Sequence, residues 1–310
     1  MAILKLKPAC KNYIWGGRRL IEEFGFDSKE KICAEAWTLS VHPDGASTLE
    51  NGETLAEYLK RNGKEILGTN CRRFENFPVL IKFIDARENL SVQVHPNDEY
   101  AKIHENQLGK SEMWYILDAE ENSVLYCGFK KKISKEEFAA RIKNNSLPEV
   151  LNALSVKKGD VIFIPAGTIH AVGKGILLAE IQQNSNVSYR VFDYGRNRPL
   201  HIEKALDVTN LNPSKARGKN YPHIAVCDYF VVDKLNLDGK ILSEARGNVD
   251  EKTFLNVLIL DGTGKISCGG REIFYRKGDS FFLTAYSGEW KICGSCDALL
   301  TTVPGNEENF

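Results

Sequence analysis

Two histidines, a glutamate and a glutamine at strand-like spacing are the residues of this chain best suited to chemistry. They lie in Ser91-Val92-Gln93-Val94-His95-Pro96, in Lys110-Ser111-Glu112, and at the end of Gly159-Asp160-Val161-Ile162-Phe163-Ile164-Pro165-Ala166-Gly167-Thr168-Ile169-His170. Alternate residues of a strand share a face, so Ser91, Gln93 and His95 can point one way, and Lys110 and Glu112 can do so on a neighbouring strand. Two imidazoles, a carboxylate and an amide oxygen can hold one divalent metal and leave a coordination position open. The donor set suits Zn²⁺ first, with Mn²⁺, Fe²⁺ and Co²⁺ as further candidates. The competing reading is a buried polar network without metal. His42, His104, His201 and His223 lack such a context and read as structural.

The elements that must position these residues are mainly strands. Runs such as Val79–Asp85, Leu90–Val94, Met113–Leu117, Val161–Pro165, Ile176–Ile181, Ala225–Leu235, Thr253–Leu260 and Ser280–Leu283 are apolar and bounded by Gly, Pro and Asn/Asp turns. Helical periodicity is confined to Glu53–Asn62 and Ser134–Asn144, the second opening with Ser134 and Glu137 at capping-box spacing. Leu147–Leu154 reads as a further turn or two of helix.

An internal repeat sharpens this picture. Val156-Lys157-Lys158-Gly159-Asp160-Val161-Ile162-Phe163-Ile164 returns 119 residues later as Tyr275-Arg276-Lys277-Gly278-Asp279-Ser280-Phe281-Phe282-Leu283. The same offset puts Glu289 at the place of His170. Turn, Gly-Asp, apolar strand and turn is the pattern of a jelly-roll (double-stranded β-helix) barrel. The expected fold is therefore mainly β, with two such barrels and a small helical excursion at about 133–154. Residues 1–220 would form a catalytic, metal-binding domain and 221–310 a second barrel without metal ligands. The polar stretch Asn210–Asn220 is the linker candidate.

Lys plus Arg equals Asp plus Glu at 41 each in 310 residues, so nothing suggests a basic surface for nucleic acid. No apolar run reaches the length of a membrane span or forms a signal segment, and the expectation is a soluble cytoplasmic chain. Eight scattered cysteines fit reduced thiols, with Cys293-Gly294-Ser295-Cys296 read as an ordinary strand end and turn.

Six stretches in order resemble the type I mannose-6-phosphate isomerases, also called phosphomannose isomerases, in their short bacterial form. They are Asn12-Tyr13-Ile14-Trp15-Gly16-Gly17, Ala34-Glu35-Ala36-Trp37 with His42-Pro43, Leu90 to Pro96, Gly109 to Glu112, Ile164 to Ala171, and Gln183-Asn184-Ser185-Asn186-Val187-Ser188-Tyr189-Arg190-Val191-Phe192-Asp193-Tyr194-Gly195-Arg196. The resemblance implies a cupin fold with one zinc per chain held by Gln93, His95, Glu112 and His170. It implies reversible conversion of D-mannose 6-phosphate and D-fructose 6-phosphate through a metal-stabilised enediolate. It places Arg190 on the family's catalytic arginine, Glu180 on an acidic residue of the same site, and Ser91, Lys110 and Glu35 on positions facing the substrate. Longer members carry an extra helical domain, replaced here by the 133–154 excursion.

Aldose–ketose isomerisation needs a cation beside the oxygen that gains charge and a base for the C2 proton. Arg190 stays charged at any working pH and serves the first need alongside a metal. Glu180 is the first candidate for the base. A histidine released from the metal and solvent activated by the ion are its rivals, and Glu180 as a mere partner of Arg190 is the plain alternative. The phosphate would draw on Lys110 and Ser91, with Arg190, Arg196 and Arg198 as additional cations. Trp15 and Trp37 could close on the sugar or simply pack. A non-catalytic sugar-binding cupin and a metal-dependent dioxygenase are the rival functions. The amide Gln93, the Lys110–Glu112 spacing and the Arg190 segment favour the isomerase.

Overall fold

Short apolar runs separated by turns can bury their backbone polar groups only by pairing, and here they pair into three antiparallel sheets. The structure, a computed structural model, describes residues 3–213 and 223–305, so most of the linker candidate lies outside the described residues. A five-stranded sheet runs in the order Tyr189–Phe192, Val92–Val94, His170–Val172, Val124–Phe129, Leu151–Ser155. A six-stranded sheet runs Ala9–Lys11, Glu35–Leu39, Val79–Ala86, Ile176–Gln183, Glu112–Ala119, Val161–Ile164. The two face each other across Ile84, Trp114, Ile116, Ile162, Ile164 and Leu178 from the larger sheet and Leu125, Cys127 and Val172 from the smaller. This is the first jelly roll.

The third sheet has eight strands and forms the second barrel around Val257, Ile259, Ile266, Phe281, Leu283 and Ile292. Its first strand, Ile3–Leu6, comes from the start of the chain and pairs with Ser280–Leu283. The expected two-barrel, mainly β architecture is the one observed, with the repeat preserved in detail. Gly159 and Gly278 both have φ of +89°. In each copy the Asp after the glycine accepts a backbone N–H, Asp160 from Lys157 at 2.8 Å and Asp279 from Arg276 at 2.9 Å.

The six-stranded sheet is covered on both sides. Every residue of Val79–Ala86 and of Ile176–Gln183 is buried. Alternation sends Ile81, Phe83, Ala179 and Ile181 towards the second barrel, where they meet Leu258, Phe282 and Leu299. The other set, Lys82, Ile84, Leu178 and Glu180, faces the interior of the first barrel. On the far side, helices Lys135–Lys143 and Ile202–Val208 cover the five-stranded sheet through Phe138, Ile142 and Ala205. The first is capped by Ser134, whose hydroxyl accepts from Glu137 N–H at 3.1 Å, as its spacing predicts.

Four local expectations change. Only Leu147–Val150 is helical, as a 3₁₀ turn, and Leu151–Ser155 instead pairs with Val124–Phe129. The predicted run Ala225–Leu235 is broken between Ala225–Val226 and Val231–Asp238 by a turn in which Cys227 N–H donates to Phe230 O. Helix Asp98–Glu105, capped by Asn97, follows His95-Pro96 directly and was not anticipated. Finally, Glu112 does not neighbour Gln93 in one sheet; it opens a strand of the facing sheet.

Phe83 is fully buried, with its ring 4.9 Å from Phe24 and 6.1 Å from Phe26. Phe83→Ala should destabilise the chain by about 3–5 kcal/mol through lost burial and the cavity left behind. Urea unfolding would show this as a lower midpoint, and an unchanged midpoint would mean that the two barrels do not rely on this seam.

Candidate metal centre and substrate cavity

His95 and His170 come to one place because a turn is stitched to both. Gly167, in the turn before His170, donates its N–H to His95 O at 2.8 Å. It does so at φ +82°, with Val208 O only 2.9 Å from where a Cβ would sit, so the position requires glycine. His95 Nδ1 lies 2.8 Å from Val187 O and His170 Nδ1 lies 2.9 Å from Thr168 O. Carbonyl partners accept, which assigns the proton of each ring to Nδ1 and leaves Nε2 with its lone pair.

Both Nε2 atoms face Glu112. His170 Nε2 is 3.2 Å from Glu112 Oε1 and His95 Nε2 is 3.5 Å from Glu112 Oε2. The ligating atoms of the three residues lie within 4.8 Å of one another, and all three residues are buried. Neither Nε2 nor Glu112 Oε1 has a hydrogen-bond partner, while Glu112 Oε2 is met by the Lys110 ammonium. Burial pushes the His95 imidazole down to about 3, with the nearby Lys110 ammonium adding to the effect, and burial likewise lowers His170. Burial alone would raise Glu112, but Lys110 and the two histidines outweigh it and hold the carboxyl well below its usual range. Two neutral imidazoles and a carboxylate with orphaned atoms turned towards each other fit a divalent ion. Gln93 pairs in register with both His170 and Arg190.

From Glu112 a ladder of alternating charge crosses the barrel interior. Lys110 Nζ is 2.9 Å from Glu112 Oε2 and 3.3 Å from Glu180 Oε1. Lys82 Nζ is 3.2 Å from Glu180 Oε1 and 3.2 Å from Glu35 Oε2. Trp114 Nε1 donates to Glu180 Oε2 at 3.1 Å and Trp37 Nε1 to Glu35 Oε2 at 2.7 Å. All five charged residues of the ladder are buried.

The ladder walls a cavity of about 260 Å³, to which Glu35, Lys82, Lys110 and Glu180 contribute together with Ser91, Gln93, Tyr13 and Trp15. Ser188, Arg190 and Arg198 complete the lining, Arg190 beside Gln93 in the five-stranded sheet and facing the ladder of the six-stranded one. Arg190 donates from a guanidinium N–H to Pro199 O at 2.9 Å, yet its buried Nε has no partner. Burial and the neighbouring Arg198 lower its pKa from the ordinary arginine value. Asp193 holds Arg198 by two bonds of 2.7 and 2.8 Å and Arg196 by one of 2.8 Å. Larger cavities, of about 660 Å³ on the second barrel and 590 Å³ beside Leu59 and Phe74, contain no comparable buried charge.

The mannose-6-phosphate isomerase ManA of Bacillus subtilis is 36% identical over 96% of this chain and 98% of its own length. The chain belongs to the type I phosphomannose isomerase family. The family's model "Phosphomannose isomerase type I, catalytic domain" matches residues 3–132, and "Mannose-6-phosphate isomerase, cupin domain" matches residues 220–303. The mannose-6-phosphate isomerase of Streptococcus mutans is 35% identical over 96% of both chains. The crystal structure of the mannose 6-phosphate isomerase from Bacillus subtilis superposes with a TM-score of 0.88 at 32% identity, covering 97% of this chain and 99% of the other.

Glu35, Ser91, Gln93, Lys110, Glu180, Arg190 and Arg198 line one cavity, with His95, Glu112 and His170 adjoining it through Lys110, whereas Arg196 pairs with Asp193 and is not in its lining; three participants were missed. Lys82 is a lone lysine in the otherwise apolar run Val79-Leu80-Ile81-Lys82-Phe83-Ile84, which was the available signal. Trp114 and Asp193 gave none. Trp37 is fully buried and donates to Glu35, so it packs and positions, whereas Trp15 borders the cavity beside Tyr13. Lys130, Lys131 and Lys132 are exposed, as a solvated helix approach should be.

Glu112→Ala removes the only carboxylate of the cluster. Elemental analysis of the purified variant should find well under one divalent ion per chain, with the circular-dichroism spectrum retained. Wild-type metal content would mean that the ion is held elsewhere.

Proposed function

We propose that this chain interconverts D-mannose 6-phosphate and D-fructose 6-phosphate, with Zn²⁺ as its metal. The observation that carries the proposal is a buried set of unpartnered nitrogen and oxygen donors bordering, through Gln93 and Lys110, a cavity lined on one wall by carboxylates and lysines and on the other by guanidinium groups. His95, Glu112 and His170 would hold the ion, with Gln93 as a fourth donor. A dication so held supplies a Lewis acid that lowers the cost of charge developing on a sugar oxygen.

The rest falls to the protein's own groups. Removing the C2 proton of the open-chain aldose leaves an enediolate; the proton then returns to C1, and the hydroxyl proton passes from O2 to O1. In this reading Glu180 takes the C2 proton. It is a cavity-wall carboxylate that accepts from the Trp114 indole and pairs with Lys110. Arg190 remains charged and keeps a free Nε for the growing negative charge. Ser91, Lys110 and Glu35 would contact sugar hydroxyls. Arg198, held by Asp193, would take the phosphate together with Arg190. Tyr13 and Trp15 offer an apolar flank that excludes water. We further propose that residues 1–220 form the catalytic unit and 221–310 the second barrel, with Ile3–Leu6 reaching across, and that the enzyme works on the soluble sugar phosphates of the cytoplasm.

A coupled assay should detect mannose 6-phosphate turnover that chelation abolishes and Zn²⁺ restores. Arg190→Ala should keep its metal and lose turnover by about 10²-fold or more. Arg198→Ala should chiefly raise KM. Turnover indifferent to chelation would overturn the proposal.

A further inference from the structure

The mechanism so far leaves Lys82 without a role, although burying an ammonium is costly unless it is paired. Lys82 sits in the centre of a strand that is buried at every residue, 5% exposed, and bridges two carboxylates, Glu180 and Glu35, at 3.2 Å each. In the register of the sheet it lies directly opposite Glu180 and directly opposite Trp37, the indole that fixes Glu35. It contacts neither histidine nor Glu112. A lysine used only to fill space here would be more cheaply replaced by leucine or methionine.

We infer that Lys82 is a positioning residue for the isomerisation: it acts through Glu180, fixing that carboxylate against the cavity and countering its charge, while Glu35 competes for the same ammonium. The inference rests on Glu180 being the base. Burial works against the charge on Lys82, but Glu180 and Glu35 outweigh it and hold its pKa above the ordinary lysine value. The ammonium is therefore a fixed charge through the working range. The titratable and charged groups around Glu180 are Lys82 on the neighbouring strand, Lys110 just before the strand on its other side, Glu35 and Glu112 as like charges, Tyr13 on the cavity wall, His170 beside Trp114, and Arg190 and Arg198 in the cavity lining.

The consequence is a pair of opposite pH effects. Removing the cation with Lys82→Met favours the protonated carboxyl and should move the acidic limb of the kcat/KM profile upward by about one pH unit, a tenfold loss at a fixed pH on that limb. Removing the competing anion with Glu35→Gln gives Glu180 a larger share of Lys82 and should move the limb downward. Lys82→Arg should leave it close to wild type. A residue with only a packing role would lower kcat or stability without moving the limb in opposite directions.

The experiment is a kcat/KM profile from pH 5 to 9 for the metal-loaded wild type, Lys82→Met, Lys82→Arg and Glu35→Gln, with Glu180→Gln assayed beside them. Upward movement in Lys82→Met and downward movement in Glu35→Gln support the inference. If Lys82→Met does not fold, the Glu35→Gln shift decides alone. Glu180→Gln inactive, with unmoved limbs in the other variants, overturns the role of Lys82. Glu180→Gln turning over normally overturns the choice of base, and the role of Lys82 with it.

Discussion

Burying five ionisable side chains inside a β-barrel is feasible only because each one touches an opposite charge. Along the ladder from Glu35 through Lys82, Glu180 and Lys110 to Glu112, no charged residue stands beside its own sign. Three carboxylates face two ammoniums, so the ladder carries one excess negative charge, and one of its two carboxylate ends, Glu112, is where two neutral imidazoles present their lone pairs. A low-dielectric interior makes such an imbalance expensive, and it is met most directly by a cation. A cation held by the His95–Glu112–His170 cluster would supply the positive charge that the buried wall lacks.

The jelly roll makes this possible by geometry rather than by local sequence. His170 and Gln93 belong to one sheet, Glu112 and Glu180 to the facing sheet, and the gap between the sheets is where their side chains meet. The six-stranded sheet is clamped on its outer face by the second barrel through Phe83 and Ile181, so the strands bearing Lys82 and Glu180 cannot drift apart. Preorganisation of that kind is what a charge-stabilised reaction needs, because dipoles and ions already in place cost no reorganisation when charge develops. The opposite wall follows a different logic. Arg190, Arg196 and Arg198 crowd like charges around one aspartate, and the crowding leaves Arg190 free to receive an anion.

How much of this could be read in the sequence depended on whether the signal was periodic. His95, Glu112 and His170 were legible because strand alternation and the Gly-Asp turn motif place them, and Ser134 because a cap has a fixed spacing. The partner of Glu112 was not. A strand pattern says which residues share a face but not which sheet the strand will join, so Lys110 and Glu112 were set beside Gln93 rather than opposite it. Lys82 escaped for a related reason. A lysine in a strand ordinarily marks the solvent face, and only burial of the sheet on both sides turns it inward. The helix Asp98–Glu105 was hidden behind His95-Pro96, although Asn97, Asp98 and Glu99 supplied a cap and an acidic first turn.

The second barrel provides an internal control on what the first barrel's site requires. Register places Leu255 opposite Leu283 just as Glu112 stands opposite Ile164, so a leucine occupies the position of Glu112. The offset of 119 residues would put Glu289 at the place of His170, but Glu289 is exposed, whereas Trp290 and Ile292 enter the core as His170 and Val172 do in the first barrel. The repeat therefore slips by one residue after the Ser287-Gly288 turn, where Gly288 adopts φ +77°. A one-residue slip exchanges the two faces of a strand, which is why a sequence offset that holds through the Gly-Asp turn fails at the residue that matters. With leucine and tryptophan in place of glutamate and histidine, that barrel buries no charged residue among those described. The same fold can thus be closed by apolar packing or around a charge ladder, and only the second choice leaves ionised groups facing a cavity.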